Sequence, residues 1–225
     1  NFHHGEVFSK EIALNSTVKH IFYILGQVSK NNYLVGGCVR DGFLGVESKD
    51  YDIVTDVHMD VSRPLFEKNG FSVKECGEAF LVLNISRDGQ QFEIANFRKE
   101  GVYLDGRRPT EVEVGTIEED AVRRDFTINA LYENPVTGEI LDPTGQGLSD
   151  IKNRLLRFIG KPKERIQEDY LRVFRFYRFL ATKDLLPERK SMKACRTLFN
   201  EAYSKTTPER ARLEIERISQ KRLND

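Results

Sequence analysis

Asp50 and Asp52 stand two residues apart in the run Asp50-Tyr51-Asp52-Ile53-Val54, which reads as a strand. Side chains alternate along a strand, so both carboxylates are expected on one face. Two negative charges about 4 Å apart repel by ~4 kcal/mol at an effective dielectric near 20, and a divalent cation removes that repulsion. Few hard oxygen ligands, leaving room for water and phosphate, suit magnesium. Upstream, the apolar run Tyr33-Leu34-Val35 breaks at Gly36-Gly37 and continues into a helix-like segment carrying Val39, Phe43 and Leu44. Residues without Cβ let backbone N–H groups approach phosphate oxygens at a helix N-terminus. A Gly-Gly pair alone is usually only a turn, and D-x-D alone a solvated strand end. Together they point to a nucleoside triphosphate held by both.

The whole stretch from Tyr33 to Asp56 resembles the signature of class II tRNA nucleotidyltransferases and bacterial poly(A) polymerases, in the DNA polymerase β superfamily. The match covers Gly36, Gly37, Arg40-Asp41, Leu44-Gly45, Asp50, Asp52 and Thr55. The resemblance implies an α+β fold: a polymerase β-like head, with a mixed or antiparallel sheet and helices, followed by an all-α neck. The expected boundaries are 1–148 for the head and 149–225 for the neck and the start of a body.

Around these residues the chain supplies positioning elements. Val18, Ile21, Phe22, Leu25 and Val28 recur at helical spacing between Ser16 and Ser29. A short helix is expected from Asp60 to Asn69, with Pro64 near its start and Gly70 ending it. Phe71 to Glu75, Phe80 to Ser86 and Gln91 to Phe97 read as strands, the last two joined by an Asp88-Gly89 hairpin signal. In the last strand Glu93 shares a face with Ala95 and Phe97. If that strand lies beside Asp50 to Val54, Glu93 becomes a third carboxylate at the cation; otherwise it is an edge-strand glutamate. Arg98 to Val114 reads as an excursion rich in charge and glycine. Its Tyr103-x-Asp105-Gly106-Arg107-Arg108-Pro109 resembles the flexible loop of CCA-adding and A-adding enzymes.

In Arg123-Arg124-Asp125-Phe126-Thr127-Ile128-Asn129, two arginines can neutralise a triphosphate and an adjacent acid can accept from a ribose hydroxyl. An isolated Arg-Asp would more simply pair with itself at a helix start. The segment resembles the family's second motif, which implies nucleotide binding by Arg123 and Arg124, ribose selection by Asp125 and support from Asn129. Asp142-Pro143-Thr144-Gly145 closes the αβ half and resembles a hinge-like third motif. Glu164 to Lys183 reads as one helix, with Ile166, Tyr170, Val173, Phe174, Tyr177 and Leu180 on its packing side. Arg165, Glu168, Asp169, Arg172 and Arg175 fall on the other. Asp169 and Arg172, three apart, are surface neighbours whose pairing alone is worth a few tenths of a kcal/mol, ~0.3. A carboxylate beside a guanidinium also resembles a base edge, and Glu168-Asp169-x-x-Arg172 with Arg175-Phe176 resembles the family's templating motif. That implies base selection by Asp169 and Arg172, with Arg175 at the nucleotide. Thr207-Pro208-Glu209 starts a last helix, where Arg210, Arg212 and Arg217 resemble a segment that supports the neck.

The formal net charge of zero conceals an asymmetry: residues 1–150 carry 15 Lys and Arg against 25 Asp and Glu, and residues 151–225 carry 20 against 10. An acidic half that attracts cations and a basic half that can follow a phosphate backbone suit a nucleic-acid-modifying enzyme. Three cysteines without C-x-x-C support neither a disulfide framework nor a zinc site. No apolar run spans a membrane and no signal-peptide pattern opens the chain, so a cytoplasmic protein is expected. Family members normally continue into body and tail regions, so a fragment or a short member is expected. The resemblance implies magnesium-dependent transfer of C and A from CTP and ATP to the tRNA 3′ end, with Asp50 and Asp52 as metal ligands and pyrophosphate released. The alternatives are an A-adding tRNA nucleotidyltransferase, a bacterial poly(A) polymerase, or a non-catalytic RNA-binding module. Oligomeric state is not legible.

Overall fold

The structure, a computed structural model, describes residues 2–3, 15–48, 50–75, 82–99 and 114–224. It divides into two units, Asn1–Arg123 with Asn129–Gly145, and Arg124–Ile128 with Gln146–Asp225. The expected loop motif, Tyr103 to Pro109, lies outside the described residues.

The first unit runs β1 (Phe2–His3), α1 (Ser16–Gly26), β2 (Asn32–Val35), α2 (Gly37–Leu44), β3 (Asp52–Thr55), α3 (Met59–Lys68), β4 (Ser72–Glu75), β5 (Val82–Arg87), β6 (Gln90–Asn96), α4 (Ile117–Val122), β7 (Tyr132–Glu133) and β8 (Ile140–Leu141). Its strands form one mixed sheet in the order β1-β8-β7-β2-β3-β6-β5-β4. β3 and β6 run parallel, while the other described neighbours are antiparallel. Leu34, Ile53, Ile94 and Leu83 lie in register across four strands and are buried, so this row is the spine of the core. Val18, Ile21 and Leu25 of α1 and Phe66 of α3 are buried as well; the two helices touch each other and reach β2 and β4–β5 respectively. Pro64 sits inside α3 rather than near its start. The β5–β6 turn has φ of 53° at Asp88 and 77° at Gly89, both positive as a type I′ hairpin demands.

Glu133 is the anomaly of this core. It sits opposite Leu34 and Ile140, is 9 % exposed, and its Oε2 has no hydrogen-bond partner among the described residues. Burial raises its pKa. A carboxyl whose folded pKa lies above its unfolded value contributes fully below the unfolded pKa and loses that contribution as pH rises through the folded one. Glu133→Gln is therefore expected to match the parent in acid and to become the more stable protein as pH rises above the ordinary carboxylate range. Urea unfolding at several pH values checks this; a gap that does not grow with pH would contradict it.

The second unit contains α5 (Gly147–Lys152), β9 (Leu155–Leu156), α6 (Pro162–Glu168), α7 (Leu171–Thr182), β10 (Leu186–Pro187), α8 (Arg189–Lys205) and α9 (Pro208–Asn224). Residues 124–128 group with this unit. Phe126 explains this: fully buried, it packs against Phe158, Phe176 and Phe179 with ring centroids 5.0, 6.1 and 5.1 Å away. The single helix expected from Glu164 to Lys183 is two helices. Asp169 is extended, with φ −153° and ψ 103°, and its Oδ1 accepts from the Leu171 amide at 3.1 Å. A short carboxylate competing for backbone N–H groups stops one helix and starts the next. The break shifts the phase, so Phe176 and Phe179 join the buried face and Arg165, expected on the polar side, is 6 % exposed. No helix among the described residues is long and apolar enough to cross a membrane.

Candidate active site

β2 ends at Val35 and the chain turns at Gly36, whose φ of 76° and ψ of −134° belong to a region that L side chains avoid. Gly36 caps α2 without a side chain, leaving the amides of the first turn aimed outward as anion donors. A Cβ on Gly37 would lie 3.3 Å from Nη2 of Arg40. Arg40 is thus folded back beside the start of its own helix. It is 7 % exposed, with Nε donating to Asp41 at 2.9 Å and Nη1 donating to Asn129 at 2.7 Å. Arg40 and Asn129, both expected at the nucleotide, are joined in a buried tie between α2 and the segment before β7. A buried guanidinium must satisfy part of its fork internally.

The neighbouring strand carries the acids. β3 starts at Asp52, two residues later than expected, so strand pairing does not hold Asp50 on Asp52's side; Asp50 is exposed just ahead of the strand. Asp52 lies in register between Val35 of β2 and Glu93 of β6. Residues directly opposite in a sheet share a face, so Asp52 and Glu93 point the same way, and both are exposed. Among the described residues no three His, Cys, Asp or Glu side chains converge as a ready-made metal cluster. An exposed pair of hard oxygen donors, with Asp50 adjacent in sequence, fits magnesium, which keeps waters and takes substrate phosphates. Burial pushes the nearby Cys38 thiol up to about 12, which leaves it no role as a thiolate nucleophile. A cavity of about 1390 Å³ in this unit is lined by Asn32, Tyr33, Asp56 and Glu139, at the other end of β2 and β3, and takes in none of these acids.

Arg123 ends the first segment of the first unit. Its Nη2 donates to Asp120 at 3.2 Å, and that fully buried acid also accepts from the Arg98 amide at 2.9 Å and the Tyr132 hydroxyl at 2.6 Å. Thr116 and Glu119 form a capping box that starts α4 and presents Asp120 to them. That box was legible as T-x-x-E; the burial of Asp120 was not.

In the second unit Asp125 accepts a fork from Arg175, 2.9 Å from Nε and 2.7 Å from Nη2, and a third bond from the Phe126 amide at 2.7 Å. Arg175, expected at the nucleotide, holds Asp125 from fifty residues further along the chain. Burial alone would lower the Arg175 pKa; the charges of Asp125, Glu214 and Asp169 outweigh it and raise it. Glu214 of α9 is buried between Arg175, 4.0 Å away, and Arg178, with which it forms a close ion pair. Arg124 is fixed through its carbonyl, which accepts from Nη2 of Arg165 at 2.6 Å. Asp169 and Arg172 lie on either side of the helix break and engage others: Asp169 meets Arg210 at 3.2 Å, and Nη1 of Arg172 donates to Glu168 at 2.9 Å and to the Arg165 carbonyl at 2.8 Å. The sequence marks neither the burial of Arg165 nor the pairing of Glu214 with Arg178, because only packing makes these residues different from surface charges.

Residues 32–157 match the family described as "Poly A polymerase head domain". The chain is 35% identical over 212 residues to the CCA-adding enzyme of Streptococcus pyogenes serotype M2 (strain MGAS10270), covering 94% of this chain and 49% of that one. It is 40% identical over 172 residues to the CCA-adding enzyme of Bacillus pumilus (strain SAFR-032), covering 75% and 42%. The crystal structure of the Bacillus stearothermophilus CCA-adding enzyme in complex with CTP superposes with a TM-score of 0.75 at 26% identity, over 96% of this chain and 49% of that one. This chain therefore spans about half the length of the relatives it matches. The α+β head is polymerase β-like, as in those structures. With its strand-Gly-Gly-helix turn, its Asp-x-Asp motif at the start of β3 and more than half its length matched, the chain belongs to the poly A polymerase head domain family.

Proposed function

We propose that the protein is a nucleotidyltransferase that adds C and A from CTP and ATP to the 3′ end of tRNA. The observation that carries the reading is the registered row Val35–Asp52–Glu93, which sets two exposed carboxylates beside the uncapped N-terminus of α2. An RNA 3′ oxygen bonds to the α-phosphorus as the bond to the bridging oxygen breaks and pyrophosphate leaves. The first-turn amides after Gly36, with the positive end of α2, bind the triphosphate. Magnesium on Asp50 and Asp52 would neutralise phosphate charge and acidify the attacking hydroxyl. Glu93, on the far side of Asp52 from α2, receives that hydroxyl's proton. Asp125, aimed by Arg175, accepts from the ribose, and Arg123 and Arg124 supply positive charge to the phosphates. Asp169, anchored by Arg210, and Arg172, anchored by Glu168, read the base. The same reading places the protein in the cytoplasm, where tRNA is matured.

The relatives named CCA-adding enzyme support this choice, and the bound CTP of the Bacillus stearothermophilus structure agrees with it. The family's description keeps a second reading, addition of A alone, because its name is that of a poly A polymerase. Purified protein offered tRNAs ending before the first C of the terminus, after it, or after the second C, with CTP or ATP separately, decides between them. C on the two shorter tRNAs and a single A on the third is expected. Long A tails on an unrelated RNA would replace this reading with the second, and absence of magnesium-dependent pyrophosphate release with any RNA would leave a binding module.

A further inference from the structure

The row through the carboxylates does not stop at Glu93. Glu93 faces Asn84 on β5, and Asn84 faces Lys74 on β4, so Asp52, Glu93, Asn84 and Lys74 form one straight line across four strands. All four are exposed, while Ile53, Ile94 and Leu83, one residue along three of those strands, are buried. Beside the line, Gln91, Ser86 and Ser72 form a second registered row on the same polar face. Lys74 makes no hydrogen bond or ion pair among the described residues, and neither does the Glu93 side chain.

Direction follows from the reaction. In-line displacement sets the attacking oxygen and the leaving pyrophosphate on opposite sides of the α-phosphorus. The triphosphate end is on the β2–α2 side of Asp52, so the attacking strand must arrive from the β6–β5–β4 side. We infer that the exposed face of β6, β5 and β4 is the track for the RNA 3′ strand, with Lys74 meeting a backbone phosphate behind the terminal nucleotide and Asn84 meeting its sugar. Lys74 stands two strand spacings beyond Glu93, about 10 Å at the usual 4.8 Å per strand, and a lysine stem bridges part of that distance. A single cation at the end of two acids gives the row a polarity that draws a polyanion to its far end while the acids hold the reacting end through the metal. A lysine on an edge strand also discourages strand-to-strand association; that role would affect solubility and leave RNA kinetics alone.

The inference rests on the proposed nucleotidyl transfer, and the test separates the two. With tRNA lacking its terminal nucleotides and saturating CTP, the parent protein must first incorporate C; if it does not, both the function and the track fail. Given incorporation, Lys74→Ala is expected to raise KM for tRNA on the order of five- to tenfold and to make log KM less steep in log salt by about 0.7, the share of one phosphate contact on a single strand. KM for CTP and the rate at saturating tRNA stay with the parent. Lys74→Arg keeps the charge and restores KM for tRNA. An unchanged tRNA KM in Lys74→Ala, or a rise in CTP KM instead, would overturn the track, as would a loss confined to thermal stability.

Discussion

Asp52→Asn is expected to remove nucleotide incorporation almost completely, with a fall in rate on the order of a thousandfold, while the protein stays folded. The amide keeps the shape of the carboxylate, so any loss reads out charge rather than packing. Asp52 is the acid that the sheet places between the strand leading into the start of α2 and the second carboxylate, Glu93. Like charges directly opposite in a sheet oppose each other. Removing one of them therefore leaves the thermal midpoint unchanged or slightly higher. Incorporation at varied magnesium together with a melting curve makes the distinction: an inactive, well-folded variant supports the assignment, and a variant with near-parental activity removes Asp52 from the chemistry. Asp50, which the strand does not orient, is expected to show the same direction of effect.

The largest effect on stability is expected at Glu214, a residue without direct chemistry. It is 5 % exposed and lies among Arg175, Arg178 and Arg217. Burial and the neighbouring arginines lower the Arg178 pKa, and the Glu214 carboxylate is the group that opposes them. Glu214→Ala leaves the half-buried Arg178 guanidinium without its counter-charge, a change that costs about 3–5 kcal/mol in a fully buried pair and about half that here. Urea unfolding should show that loss, with α9 the first element to release its amides to hydrogen exchange. Pairing the change with Arg178→Met should recover a good part of it, since a buried ion pair replaced by apolar groups is often close to neutral. If the single variant unfolds at the parental midpoint, the network is ornamental. Because Glu214 also touches Arg175, and Arg175 holds Asp125, a folded Glu214→Gln protein should discriminate ribose from deoxyribose less well than the parent.

Much of the candidate site was legible because it is local. A strand that breaks at Gly36-Gly37 and restarts as a helix, the Asp88-Gly89 hairpin and the helix from Ser16 are all written within a few residues, by φ preferences and by apolar spacing, whereas the strand read from Asp50 begins only at Asp52. The roles given to Asp169 and Arg172 came from resemblance, and the helix on which they were drawn does not exist as one piece. A period of 3.6 residues runs unbroken through Asp169, whereas one carboxylate–amide bond interrupts the backbone there. Periodicity records which side chains are apolar and carries no trace of that bond.

What the sequence determined by itself was the family, the α+β order of elements and the residue types available for metal, phosphate and ribose. What only the tertiary structure decided was who stands next to whom. Glu93 became a partner of Asp52 because β6 lies parallel to β3 in one register; a slip of one residue would have turned it to the core face. Arg175 became the partner of Asp125, Arg40 the buried partner of Asn129, and Glu214 the hidden counter-charge of Arg178. Each of these pairs spans dozens of residues. Local preferences act over one turn or one strand, and such distant meetings are settled by packing and register, which belong to the folded chain as a whole.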